Sequence, residues 1–140
     1  MGAIWQAGYM RILVFFLTAT FASLALAETP MTADEFDRYT RGKTLYFSSN
    51  GERYGGEEYF ENRRVRWSYL DGQCKEGVWF VDGADICFVY EDNPTPQCWQ
   101  FFLDGGGLSA RFTGDEADST LYEIEGADEE MLCLGPEVGV

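Results

Sequence analysis

The sequence predicts a mainly β domain, an antiparallel meander or small barrel of about seven or eight strands with one short N-terminal helix. Three observations carry that expectation. From Lys43 onward, short runs rich in aromatic and β-branched residues alternate with turn signals at Asn50-Gly51, Asp71-Gly72, Asp82-Gly83, Asn93-Pro94 and Gly105 to Gly107. A helical period of useful length occurs once, ahead of that series. No sequence repeat or low-complexity segment interrupts it, so hairpins in series, closed or nearly closed, are expected.

The first 27 residues are expected to be a targeting signal. Arg11 is the only charged residue among the first 27, and the apolar run ILVFFLTATFASLALA behind it ends on the small-residue triplet Ala25-Leu26-Ala27. Charge, apolar core and A-x-A site in that order predict a secretory signal peptide over residues 1–27. The run is short for a membrane span, which takes about 20 apolar residues. Met10 is an alternative start to Met1. Residues 28–140 then form one domain, expected in the periplasm or secreted, off the membrane once cleaved, and monomeric. With Arg11 removed it carries 9 basic and 24 acidic residues, 9 − 24 = −15. That charge argues against nucleic acid or an anionic membrane as a partner and suits a basic macromolecule or a metal ion, the plainer alternative being that it keeps an exported protein soluble.

Within the domain, Thr32 and Glu35 form a capping box, and Met31 and Phe36 occupy the positions of a hydrophobic staple. Phe36 and Tyr39 share a face, Arg38 and Arg41 suit the negative end of the helix dipole, and Gly42 provides a left-handed stop. A helix of two to three turns follows.

The strand registers are constrained because a one-residue slip turns every side chain to the other face. Alternation puts Val65, Trp67 and Tyr69 inside and Arg64, Arg66 and Ser68 outside. A three-residue loop at Asp71 to Gln73 sets Trp67 opposite Gly77 and Val65 opposite Trp79. A two-residue turn at Asp82-Gly83 brings Trp79 opposite Ile86, with Phe88 and Tyr90 on the same inner face. Folding Leu103 against Leu108 pairs Phe101 with Ala110 and Trp99 with Phe112. The interior aromatics Trp67, Trp79, Phe88, Tyr90, Trp99 and Phe112 therefore either fill a small barrel or line a pocket.

Four cysteines in an exported chain predict two disulfides. A turn around Asp92-Asn93 sets Cys87 opposite Cys98, which leaves Cys74 for Cys133. Three connectivities are open to four cysteines, and this is the one the registers favour. Without a C-x-x-C spacing, no zinc site is expected.

Candidate chemistry is sparse. The absence of histidine removes serine-histidine and cysteine-histidine catalysis. Serine-lysine chemistry would need Lys43 or Lys75, and neither lies in a motif. Carboxylate pairs such as Glu57-Glu58, Glu91-Asp92 and Asp128 to Glu130 are expected on the solvated surface of so acidic a chain. Asp115, Glu116 and Asp118 lack the glycine and closing glutamate of a calcium loop. No catalytic residue, metal ligand or cofactor site is expected. Arg63, Arg64 and Arg66 form the one basic cluster, a candidate anion patch whose alternative is pairing with Glu57, Glu58 or Glu61 on the neighbouring strand.

The run GVWFVDGADICFVYEDNPTPQCWQFF, and more weakly Thr32 to Gly42 and Cys133-Leu134-Gly135-Pro136, resembles small exported β proteins of unknown function from Gram-negative bacteria. The resemblance implies a periplasmic or secreted setting and transfers no catalytic residue. The functional expectation is a non-catalytic binding or interaction module, an acidic partner of a basic protein. The alternatives are a lipocalin-like carrier of a small apolar ligand and, last, a carboxylate hydrolase acting on envelope glycans.

Overall fold

The computed structural model describes residues 2–3, 28–114, 119–127 and 129–134. The apolar run, the cleavage triplet and the acidic stretch Asp115, Glu116 and Asp118 lie outside the described residues. One helix, α1 (Ala33–Thr40), precedes eight strands: β1 (Thr44–Ser49), β2 (Glu52–Tyr59), β3 (Arg64–Ser68), β4 (Cys74–Asp82), β5 (Asp85–Tyr90), β6 (Asn93–Asp104), β7 (Gly107–Phe112) and β8 (Thr120–Glu123). Each strand pairs antiparallel with its sequence neighbour, and β8 returns to β1, closing an up-and-down barrel. Closure gives every described strand a partner on both sides. The helix leads into the barrel but does not stand at the N-terminus of the chain.

The helix forms where its caps demand. The Thr32 side chain accepts from the Glu35 N–H while the Glu35 carboxylate accepts from the Thr32 N–H at 2.8 Å. Gly42, at φ 78°, ends it and donates its N–H to Tyr59 O at the end of β2. Upstream, the Met31 N–H donates to Phe101 O at 2.7 Å, and Tyr39 Oη donates to Glu123 at 2.8 Å. The helix is thus fastened to β2, β6 and β8 and lies across one end of the barrel. Its Phe36, fully buried, meets the rings of Phe101, Trp79 and Tyr59 at 4.5, 5.1 and 5.7 Å. Burial of that side chain alone contributes about 2–3 kcal/mol.

Two hairpin registers differ from expectation. In β3–β4, Val65 lies opposite Gly77 and Trp67 opposite Lys75. The connecting loop has five residues rather than three, with Leu70 and Gly72 both at positive φ, and Tyr69 lies beyond the end of β3. In β4–β5, Trp79 lies opposite Phe88 and Val81 opposite Ile86, because the turn residues are Gly83-Ala84 rather than Asp82-Gly83. Asn93-Pro94 opens β6 instead of making the turn, so the reversal falls on Glu91-Asp92. Both register shifts move each pairing by two positions, so every side chain keeps its face. The β6–β7 register pairs Trp99 with Phe112, Phe101 with Ala110 and Leu103 with Leu108.

The disulfides are Cys74–Cys133 and Cys87–Cys98, with Cα atoms 5.4 and 4.0 Å apart. Cys87 and Cys98 are direct cross-strand partners. Cys133 pins the segment 129–134 against the outside of the barrel. There Tyr46 Oη donates to Glu129 O at 2.6 Å, and Leu134 N–H donates to Gly72 O. This covering explains why the outward-facing Tyr46 is buried. The two bridges fit an oxidising compartment. Among the described residues no helix is long and apolar enough to cross a membrane.

Candidate functional site

The two ends of the barrel are filled differently. Phe36, Trp79, Phe88 and Phe101 occupy the helix-covered end. The opposite half holds a cavity of about 380 Å³. Its inner part is bordered by Phe47, Glu57, Tyr59, Phe88 and Phe101, and Trp67, Tyr90, Trp99, Ala110 and Leu121 extend the wall. Tyr54, Tyr69, Lys75, Asp92, Asn93 and Gln97 complete the lining around the β1–β2, β3–β4 and β5–β6 connections.

Two inward glycines make room for the rings. A Cβ on Gly55 would overlap the Trp67 indole, and one on Gly77 would come within 2.7 Å of the Tyr90 ring. Tyr90 stacks nearly parallel to Phe88, with ring centres 6.4 Å apart. Towards the rim, Tyr54, Trp67 and Tyr69 form a cluster with ring centres 5.5–5.9 Å apart. Lys75 lies at the same rim, its ammonium 2.7 Å from Asp92 and 5.4 Å from the centre of the Tyr69 ring.

Glu57 stands out chemically. Register places it opposite Leu45 on β1 and Trp67 on β3, with its side chain inward and only 2% exposed. Its Oε1 accepts a 2.8 Å hydrogen bond from Tyr90 Oη, whereas Oε2 is buried without a partner among protein atoms. Burial pushes the carboxyl well above the ordinary carboxylate range, against the lowering effect of the Tyr90 hydroxyl. The same burial, reinforced by the nearby carboxyl, holds the Tyr90 and Tyr59 phenols well above their usual value. Burial thus favours the neutral acid, which has both a proton to donate and lone pairs to accept. Its expected place in a solvated Glu57-Glu58 pair is corrected: Glu58 faces out, and Glu57 faces the cavity.

Among the six interior aromatics, Trp67, Phe88, Tyr90 and Trp99 line the cavity, while Trp79 packs on Phe36 in the covered end. Phe112 stands behind Trp99 at 5.0 Å. The barrel is thus filled in one half and hollow in the other. Sequence reasoning missed Glu57, Tyr54, Tyr59 and Lys75 as lining residues. Alternation in β2 carries the signal for two of them, because Glu57 and Tyr59 share a face with Gly55 once Tyr59 is set opposite Val65.

Arg63, Arg64 and Arg66 lie away from the cavity. Arg66 donates to Glu76 at 2.6 Å and to Glu58 at 3.4 Å, in a Glu58–Arg66–Glu76 row that crosses three strands. The Arg64 and Arg66 guanidinium groups rest over Phe60, and that of Arg63 over Trp79 at 4.5 Å. The cluster is occupied by carboxylates and rings rather than arranged around an anion. Glu61, expected as a partner, forms none of the ion pairs found among the described residues. Among the described residues, no group of histidine, cysteine, aspartate and glutamate has the arrangement of a metal site. No family model, no curated protein and no solved structure matches the chain.

Proposed function

We propose that the protein is a binding barrel that takes a small, largely apolar molecule into its open half. The observation that carries this reading is the cavity of about 380 Å³, walled by aromatic rings for which Gly55 and Gly77 make room. Its volume falls in the range of ordinary small-molecule sites, and one polar group at depth fits their usual chemistry. Eight-stranded up-and-down barrels are also the architecture in which lipocalins hold one small ligand, which is an analogy of fold only.

The leading expectation from the sequence, an interaction module that is an acidic partner of a basic protein, has the net charge as its support. A glycan hydrolase needs two carboxyl groups flanking a cleft. Asp92 shares the cavity with Glu57 but is tied to Lys75 at the rim. The cavity therefore favours the carrier reading. Export by a cleaved signal peptide, with the periplasm as destination, belongs to the same proposal and rests on Arg11, the apolar run and the Ala25 to Ala27 triplet. Kinship with small exported β proteins likewise rests on the residues that suggest it.

Binding of an apolar fluorescent dye, followed through quenching of Trp67 and Trp99, tests the reading. The folded wild type binds the dye, and Ala110→Phe, which fills the cavity from β7, weakens it at least about tenfold. A folded wild type that binds no dye, or an Ala110→Phe variant that binds equally well, would reject it.

A further inference from the structure

Resting on the binding reading above, we infer that the cavity selects a cationic ligand, an apolar amine whose ammonium group meets the Glu57 carboxyl inside the aromatic wall. Three independent features point to this chemistry. The first is Glu57 itself, a carboxyl on the cavity wall whose Oε2 is buried without any protein partner. Such a group is costly to keep unless something pairs with it. The terminal glutamate torsion is broad and soft, so a small rotation can exchange the oxygen bound by Tyr90 for the unpartnered one.

The second feature is the surrounding surface. Tyr54, Trp67, Tyr69 and Tyr90 offer ring faces and edges, and aromatic faces attract ammonium groups. The protein's own Lys75 already places an ammonium beside the Tyr69 ring at the rim, which shows that this wall accepts the group. The third feature is charge. Among the described residues Lys75 is the only cation in the lining, and Asp92 neutralises it at 2.7 Å. A net charge of −14 for the whole chain adds a negative field that draws cations and repels carboxylates.

These observations also set the proton balance. The ionisable groups around the Glu57 carboxyl are Tyr90 on β5, Tyr59 on β2 and, at the rim, the Lys75–Asp92 pair. None of them supplies an unpaired cation. Burial therefore favours the protonated form of Glu57 in the free protein. Binding an ammonium ion converts the carboxylic acid to a carboxylate paired with the ligand, and the carboxyl proton leaves to the buffer. Amine binding therefore releases protons, up to about one per ligand.

Three probes with a common apolar part separate this inference from the general binding reading: 4-phenylbutylamine, 4-phenylbutanol and 4-phenylbutyrate. They are titrated calorimetrically at pH 7 in two buffers of different ionisation enthalpy. The wild type is expected to bind the amine at least about tenfold more tightly than the alcohol, and the carboxylate weakest. The amine alone should release protons, and Glu57→Gln should bring its affinity down to that of the alcohol without changing the latter. If Glu57→Gln does not fold, proton release by the wild type decides. Equal or tighter binding of the alcohol or carboxylate, or amine binding without proton release, overturns the amine inference and leaves the binding reading intact. Failure of all three probes with folded protein overturns both.

Discussion

The two halves of this barrel are built from the same strands and the same alternation, yet one is packed solid and the other is hollow. The difference lies in what enters from the end. At the covered end the helix inserts Phe36, which is fully buried among Tyr59, Trp79, Phe88 and Phe101. At the open end none of the described elements enters, and the inward positions carry rings that line the space rather than fill it. Stability is thus concentrated where packing is dense, while a buried acid without a full set of partners sits where packing is loose. Function proposed for the open end depends on rigidity supplied by the covered end.

The strongest way to break this comparison is to empty the covered end. Phe36→Ala removes the ring that four aromatic neighbours surround, and large-to-small changes of this kind cost about 3–5 kcal/mol. Urea unfolding of Phe36→Ala should show a loss of that size, whereas Phe47→Ala, on the cavity wall, should cost distinctly less. Equal losses would mean that the hollow half is packed as tightly as the other.

The open end has a covalent substitute for packing. Cys74–Cys133 lies at the β3–β4 loop and straps the C-terminal segment outside the barrel, closing 59 residues, against 11 for Cys87–Cys98. By loop length the first bridge stabilises by up to about 4 kcal/mol and the second by up to about 3. Paired cysteine-to-serine variants, compared by denaturant unfolding, should rank in that order. The reverse order would put the covalent constraint in the middle of the wall instead of at the rim.

Local signals explain why so much of the covered half could be read from the sequence. The capping box, the staple residues Met31 and Phe36 and the stop at Gly42 each act within a few positions, and all three are present in α1. The disulfides followed from one correct hairpin register. The two hairpin registers that differed did so by even numbers, because Leu70 at positive φ lengthens one loop and Gly83-Ala84 replaces Asp82-Gly83 in the other. An even slip preserves faces, so the interior aromatics survived the error. Glu57 did not, because Glu57-Glu58 resembles any surface pair in an acidic chain. Only the tertiary pairing of β2 with both β1 and β3 turns one of them inward.

The buried acid gives the next test, of smaller effect. With its folded pKa raised, Glu57 keeps its proton at a pH where the unfolded chain has already lost it. Its contribution to stability is complete below the ordinary carboxylate range and is lost as pH rises towards the folded value. Glu57→Gln cannot titrate. The melting temperature of ligand-free Glu57→Gln, measured against wild type from pH 5 to 9, should therefore gain steadily on the wild type as pH rises. A constant difference would show that the carboxyl is ionised throughout and the open end more polar than its walls suggest. Stopping at pH 9 keeps the raised phenols of Tyr59 and Tyr90 out of the comparison.

The smallest expected effect lies at the rim of the covered end, where Arg63 reaches over Trp79. It holds a left-handed backbone, φ 60°, directly after Asn62 at φ 59°. Two opposing contributions meet in that residue. Its cation–π contact is worth about 0.5–1 kcal/mol at an exposed site. The left-handed conformation costs a non-glycine residue about 1–2 kcal/mol. Arg63→Ala forfeits the contact and keeps the strain; Arg63→Gly forfeits the contact and relieves the strain, at some entropy cost in the unfolded chain. Thermal unfolding should therefore rank Arg63→Gly above Arg63→Ala, by up to about 1 kcal/mol. The opposite ranking would mean that the turn is set by the helix and strands packed against it, and that the covered end imposes its geometry outward instead of being assembled from locally favourable pieces.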